Sequence, residues 1–388
     1  MSPRPNLKYR AYLALANLVT ALARVLLPAG PEPKSRSDAT WPAAGPLRLT
    51  ELVAQAKGWA SECQPSLFWE RQLDRFRSAE SHSPLLDDAQ ISGVLREGLG
   101  YRFGRLADAD GSARRDSNVV YATRVLDYLG TVRKRLDPPA MGVSRGSTEH
   151  AAALLFLRRH GLLDDYMAML TARGFTSGMT TARHFYHARL LQDLLTSIGP
   201  GPFRVLEIGA GAGNMAILLS DLGLVERYTI VDLPEMLLNS YDQVGTLLPQ
   251  ATLRCGAIAR DGRSPTVLFL PPQHASQIES GSIDLALNFN SFMEMDRSQR
   301  DGYIELVYRV CRRGGLFVNI NRRQPALPQR DGSTFDSNPL LYPYRSTDAV
   351  LRWEMDAFQQ DMRSRFGEAP DSYAILRAAV IHSKERRR

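Results

Sequence analysis

Three glycines at alternate positions, Gly209-Ala210-Gly211-Ala212-Gly213, stand between a short apolar run, Phe203 to Ile208, and a helical run, Asn214 to Leu222, closed by Gly223. This order of strand, glycine loop and helix constrains the fold more than any other feature of the chain. Glycine is needed where the backbone turns sharply and where a ligand must approach the main chain without a Cβ in the way. Such a unit opens an α/β sheet whose ligands bind outside the carboxyl ends of the strands. The trio alone does not choose a cofactor, because nicotinamide and flavin enzymes place G-x-G-x-x-G at the same structural point.

The alternation continues downstream. A strand over Tyr228 to Val231 ends in Asp232, 19 residues past the last glycine, and Leu233-Pro234-Glu235 open a helix. An acid at that strand end can accept hydrogen bonds from both hydroxyls of a ribose; the plainer alternative is a helix cap before Pro234. Ala251 to Cys255 and Thr266 to Leu270 both qualify as the third strand. The second is preferred, and its end, followed by Pro271 and Pro272, brings Leu270 and Gln273 towards an adenine ring. Ile283 to Phe289 reads as strand four, followed by the polar and acidic cluster Asn290-Ser291-Phe292-Met293-Glu294-Met295. A helix over Ser298 to Cys311, a turn at Gly314-Gly315 and a strand over Leu316 to Asn321 follow. Finally, Ala349 to Phe358 and Ser372 to His382 pair as an antiparallel edge, with Gly367 to Asp371 in the connection.

Spacing separates the cofactor classes. Glu207 lies two residues before the first glycine, and the third glycine follows the second after one residue, where the dinucleotide fingerprint has two; Asn214 holds the dinucleotide glycine's place. S-adenosylmethionine (SAM) has no pyrophosphate to lay on a helix N-terminus. Its methionine end carries an amine and a carboxylate, so an acid at the loop suits it.

The rest of the chain sets limits. At 388 residues it exceeds a usual single domain. Its net charge of +7 is concentrated at the ends: residues 1–36 hold six basic side chains to one acidic, the last five hold four to one, and the body is close to neutral. A near-neutral body gives no support for a nucleic-acid channel. Cys63, Cys255 and Cys311 form neither a disulfide framework nor a zinc pattern, which fits a reducing, cytoplasmic setting. Ala11 to Leu27 is an apolar run preceded by Arg4, Lys8 and Arg10 and interrupted by Arg24, too short to span a membrane. A helix docked on the protein's own surface, a basic helix making peripheral contact with an anionic membrane and a targeting sequence all remain open. Residues 1–38 thus read as a basic amphipathic segment and linker. Residues 39–200 read as a mainly helical substrate cover, with helical stretches at Leu49 to Trp59, Phe68 to Phe76, Val119 to Leu136 and His150 to Met169, and with Trp59, Trp69 and Tyr128 as core. Residues 201–388 read as the cofactor domain.

On the set Glu207-Ile208-Gly209-Ala210-Gly211-Ala212-Gly213, Val231-Asp232-Leu233-Pro234 and Asn290-Ser291-Phe292-Met293-Glu294-Met295, residues 203–382 resemble a class I SAM-dependent methyltransferase. The last cluster resembles the sugar O-methyltransferase group within it, although Ala212 stands where many members of that group carry an aromatic residue. The resemblance implies a Rossmann-like SAM-binding methyltransferase sheet with an antiparallel C-terminal edge, preceded by a mainly helical region. It implies SAM as cofactor, with Gly209, Ala210, Gly211, Gly213 and Asn214 forming the loop, Glu207 orienting the methionine end and Asp232 binding the ribose. Leu233 and Leu270 would lie at the adenine, and the backbone at Asn288 would face the methionine amine. The partner would be a small-molecule hydroxyl, a sugar or glycoside, deprotonated by Glu294. The histidines His184 and His187, at i and i+3 on a helix from Thr181 to Thr196, are the second candidates for that base. Glu294 and Asp296 are the only local metal ligands the cluster offers, and no metal is expected. An NAD-dependent oxidoreductase and a catalytically silent SAM-fold scaffold are the competing readings.

Overall fold

The computed structural model describes residues 48–63, 65–66, 69–70, 73, 102, 145–256, 266–329, 331–366 and 373–382. Segment 1–38, with its apolar run Ala11 to Leu27, and the expected helix Val119 to Leu136 lie outside the described residues. The described residues fall into two compact units. One holds 145–187 and 361–366; the other holds 48–102, 188–360 and 373–382.

The first unit contains α2 (Arg145–Arg159) and α3 (Leu163–Arg173), following α1 (Leu49–Glu62) in the chain, and α4 (Met179–Leu195) as far as His187. The single helix expected over His150 to Met169 is two helices, because Gly161 takes a left-handed φ of 70° between them. Gly174 ends α3 in the same way, at φ 62°.

The second unit is built on an eight-stranded sheet. Its strands are β1 (Phe203–Ile208), β2 (Val225–Val231), β3 (Thr252–Cys255), β4 (Thr266–Leu270), β5 (Ile283–Phe289), β6 (Cys311–Arg322), β9 (Ala349–Met355) and β10 (Ala374–Val380). The spatial order is β3-β4-β2-β1-β5-β6-β10-β9. The strands from β3 to β6 are parallel, and β10 runs antiparallel to both β6 and β9. This is the expected Rossmann-like, mostly parallel sheet with its antiparallel C-terminal edge. β5 is buried from Ile283 to Asn288, as a strand covered on both faces must be. The connecting helices are α5 (Asn214–Asp221), α6 (Pro234–Leu247) and α7 (Arg297–Val310). α6 starts with proline in its first turn, where the missing N–H costs nothing, and α1 packs along it.

Both segments weighed for the third strand are strands: β4 pairs with β2, and β3 adds itself outside β4. Several boundaries differ from expectation. β2 starts at Val225, and the chain passes from α7 into β6 at Cys311, with Gly314-Gly315 inside the strand. The expected strand Ala349 to Phe358 stops at Met355, and α8 (Ala357–Phe366) occupies the connection. A two-stranded hairpin of β7 (Gln324–Pro328) and β8 (Thr334–Ser337) was not legible in the sequence.

After β1 the chain adds β2 beside it, passes to β3 at the outer edge, returns to insert β4 between β3 and β2, and then crosses back to place β5 on the other side of β1. The switch point therefore lies between β1 and β5, where ligands of open α/β sheets bind. An ionic knot ties the same strands at the opposite end. Asp284 on β5 accepts from the Arg204 backbone N–H at 2.9 Å and the Arg204 Nε at 3.0 Å on β1, and from the Arg312 guanidinium on β6. Burial pushes the Asp284 carboxyl up, but the two arginines outweigh it and hold the group below its ordinary range. A lowered folded-state pKa stabilises above the unfolded value, and that contribution is lost as pH falls. Asp284→Asn should therefore cost about 1–2 kcal/mol near pH 7. In melts across a pH series, its deficit against wild type should shrink below about pH 4.

Candidate functional site

The loop between β1 and α5 holds three left-handed glycines, with φ 72° at Gly209, 60° at Gly211 and 76° at Gly213. Their surroundings differ. A Cβ at Gly209 would stand 1.9 Å from Ser291 Oγ, and one at Gly213 would meet Val244 at 2.8 Å. Among the described residues nothing lies within 4 Å of a Cβ at Gly211. The two outer glycines thus exist for packing, and the middle one faces open space with its backbone accessible to a ligand.

Asp232 sits at the end of β2 and spans to this loop. Its Oδ2 accepts the Gly211 N–H at 2.9 Å, and its Oδ1 accepts the N–H of Leu233 at 2.8 Å. A carboxylate has about four acceptor positions, so each oxygen keeps capacity for another donor. Burial pushes the Asp232 carboxyl up to about 7, and the backbone bonds only partly oppose it. Glu207 is buried on β1 and accepts the Tyr228 hydroxyl at 2.7 Å. Burial raises it to about 7 as well, against the Tyr228 bond and with the charge of Asp232 adding.

The other wall is the turn after β5. Asn288 is fully buried and its amide makes four bonds: Nδ2 donates to Ile208 O at 2.8 Å and to Ser291 Oγ at 3.0 Å, while Oδ1 accepts the Phe292 N–H at 3.2 Å and Asn321 Nδ2 at 2.7 Å. Asn321 Oδ1 accepts the Met293 N–H at 3.1 Å. Asn290 adopts φ 56°, a conformation asparagine tolerates. Its side-chain Oδ1 is buried with no hydrogen-bond partner among the described residues.

Glu294 ends the short 3-10 turn Phe292–Glu294. Its carbonyl accepts the Ser66 hydroxyl at 2.7 Å. Burial raises its carboxyl to about 7; the Arg322 charge lowers it, the Asp232 charge raises it, and a hydrogen bond from Trp69 lowers it. Tyr303 on α7 stands in the electrostatic reach of Cys63 and Asp232, and burial holds its hydroxyl above the ordinary range.

The expected residues divide into groups. Gly209, Gly211, Gly213, Asp232, Asn288 and Glu294 belong to the loop, strand ends and turn at the switch point. Ala210 lies in the loop, and its carbonyl accepts the Gly213 N–H at 3.0 Å. Asn214 is buried and accepts from Gln243 Nε2 at 2.7 Å; the same nitrogen donates to the Ala212 carbonyl, so this pair braces the loop. Leu270 is buried in the core cluster with Ile208 and Val231, and Leu233 is half-buried at the start of α6. His184 and His187 lie in the other compact unit. Burial, with the Arg183 charge adding, pushes His184 down to about 3, and its Nδ1 donates to Thr180 O at 2.8 Å. Trp69 is corrected from a core residue to a donor on Glu294.

Asn319 and Asn321, in the buried stretch of β6 from Leu316 to Asn321, carried a signal: two asparagines at i and i+2 on a buried strand must find partners on one face. Ser66 carried none, since its partner lies 228 residues away. Among the described residues no group of three or more His, Cys, Asp or Glu side chains could hold a metal ion, and no helix is long and apolar enough to cross a membrane.

No family model matches the sequence, and no curated protein matches it. Among solved structures the chain is similar to the cyclase SpnF, at 15% identity over 59% of this chain and 97% of that one with a TM-score of 0.37. It is similar to geranyl diphosphate C-methyltransferase from Streptomyces coelicolor A3(2), at 13% identity over 50% and 75% with a TM-score of 0.34. The YcgJ protein from Bacillus subtilis matches at 15% identity over 51% and 99%, also with a TM-score of 0.34. Likeness of this degree adds nothing to the geometry above.

The loop geometry makes a paired prediction. Gly211→Ala meets open space and should cost only the left-handed backbone strain, about 1–2 kcal/mol. Gly209→Ala adds a clash with Ser291 and should cost clearly more. Denaturant melts of the two variants side by side should show that order; equal costs would contradict the open cradle.

Proposed function

We propose that this protein is a SAM-dependent methyltransferase acting on a hydroxyl of a sugar or glycosylated small molecule. The observation that carries the cofactor is the open face of Gly211 beside the Asp232 carboxylate, both fixed by the Gly211–Asp232 bond. The donor set fits the group. Asp232 keeps acceptor capacity for ribose hydroxyls, the half-buried Leu233 flanks the place of the adenine, from which the fully buried Leu270 is closed off, and Ala210, Asn214 and Gly213 complete the loop. Glu207 orients the methionine end, and the backbone at Asn288 faces its amine. The unpartnered Asn290 oxygen is a further acceptor at this edge.

When bound, SAM supplies a methyl group on a sulfonium, open to direct attack. The chain's own residues then position the acceptor and take its proton. Glu294 is suited to this, because burial raises its carboxyl to about 7, which matches a base working near neutral pH. His184, pushed down to about 3, is a poor base. The choice of a sugar hydroxyl as acceptor is supported by the Asn290 to Met295 cluster and by the need for a base; the choice of SAM does not depend on it.

Two measurements follow. Asp232→Ala removes both the ribose acceptor and the brace on Gly211, and should weaken SAM by roughly 2–4 kcal/mol in isothermal titration. Unchanged affinity would leave Asp232 as a cap alone. Glu294→Gln should keep SAM affinity and lower kcat by about 10²–10⁴. In the wild type, kcat should rise as pH passes through about 7 and Glu294 loses its proton, and this rising limb should vanish in the variant. Turnover of Glu294→Gln within about threefold of wild type would remove it as the base.

A further inference from the structure

The sheet ends, among the described residues, in an edge strand with little of the usual protection. β9 pairs with β10 on one side only. Natural edges are blunted by lysine, proline, shortness or a bulge. β9 is seven residues long, contains neither lysine nor proline, and is exposed along its whole length. Val350, Leu351, Trp353 and Met355 stand 44%, 41%, 49% and 53% exposed, and they are four of the six large apolar side chains in the described residues that do so. A bulge falls at Leu351, at one end, and the strand is regular from Arg352 to Met355.

The charges along β9 select an occupant. Arg352 and Glu354 lie on one face and are ion-paired within the strand at 3.1 Å, both half exposed. In a symmetric antiparallel pairing of two copies, residues opposite each other must share a face, so the two-fold axis passes at a residue. With the axis at Arg352 or at Glu354, like charges oppose. With the axis at Trp353, Arg352 of each copy faces Glu354 of the other, both charges are matched twice, and the two Trp353 side chains meet at the centre.

We propose that β9 is the contact of a homodimer, in which two copies join edge to edge about Trp353 into one continuous sheet. The inference does not rest on the methyltransferase reading, and it places no catalytic residue in the interface.

Sedimentation of the full chain over a concentration series tests it. The wild type should show a concentration-dependent species of twice the monomer mass. Arg352→Glu sets Glu against Glu and Glu354→Arg sets Arg against Arg, so each should raise the dimer dissociation constant by roughly tenfold or more. The double exchange, R352E with E354R, restores both pairs and should return the dimer. Circular dichroism of all three variants should match wild type, since these side chains are exposed. A wild type that stays monomeric throughout, a dimer indifferent to either single change, or a double exchange that fails to recover would each overturn the proposal.

Discussion

The four hydrogen bonds of Asn288 hold the candidate site together. A buried amide left unsatisfied costs about as much as several good contacts supply, so this residue fixes its neighbours as firmly as they fix it. Through Ile208 it holds the end of β1 where the glycine loop begins; through Ser291 and Phe292 it shapes the turn that carries Glu294. Asn321 takes up its remaining acceptor and holds Met293, and Asn321 in turn bonds Asn319, whose amide bonds the Tyr344 hydroxyl. Tyr344 lies under the guanidinium of the buried Arg377, which pairs with Asp348 at 2.7 Å. The open cradle at Gly211 and the turn that carries Glu294 are thus two ends of one polar scaffold on β1, β5 and β6.

Electrostatics give that scaffold a direction. Glu207, Asp232 and Glu294 are carboxyls that burial raises to about 7, and the charge of Asp232 raises the other two. Of the three, Glu294 has the opposing charge of Arg322 to lower it. A carboxyl whose pKa is raised on folding stabilises the fold at low pH, and that contribution is lost as pH rises through the raised value. A ligand bearing a sulfonium and an ammonium would offset this repulsion. The arrangement therefore suits a cation better than the pyrophosphate of a dinucleotide, which agrees with the single-residue spacing between Gly211 and Gly213.

Much of the sheet was legible, because apolar runs bounded by glycine and proline fix strands well. Phe203 to Ile208, Thr266 to Leu270 and Ile283 to Phe289 have the bounds expected of them. Legibility failed where a distant partner decides. Cys311-Arg312-Arg313-Gly314-Gly315 reads as a helix end and a turn, yet the segment is strand because Ile283 pairs with Cys311 and Asp284 holds Arg312. Gln324 to Pro328 is short and holds two prolines, so only its pairing with β8 makes it a strand. The strand end at Met355 was available: Asp356 accepts the Gln359 N–H at 3.0 Å, and Asp-x-x-Gln is a helix-start pattern. In the site, glycines and acids stood out by spacing, whereas the contacts of Ser66 and Trp69 with Glu294 join segments more than two hundred residues apart.

SAM is the ligand proposed for the cradle between Gly211 and Asp232. Native mass spectrometry of the purified full chain, before and after adding S-adenosylhomocysteine or NADH, tests it most directly. The account predicts a complex of one S-adenosylhomocysteine per chain, carried through purification or formed on addition, and none with NADH. A chain that binds NADH in its place, or that binds neither, would contradict it.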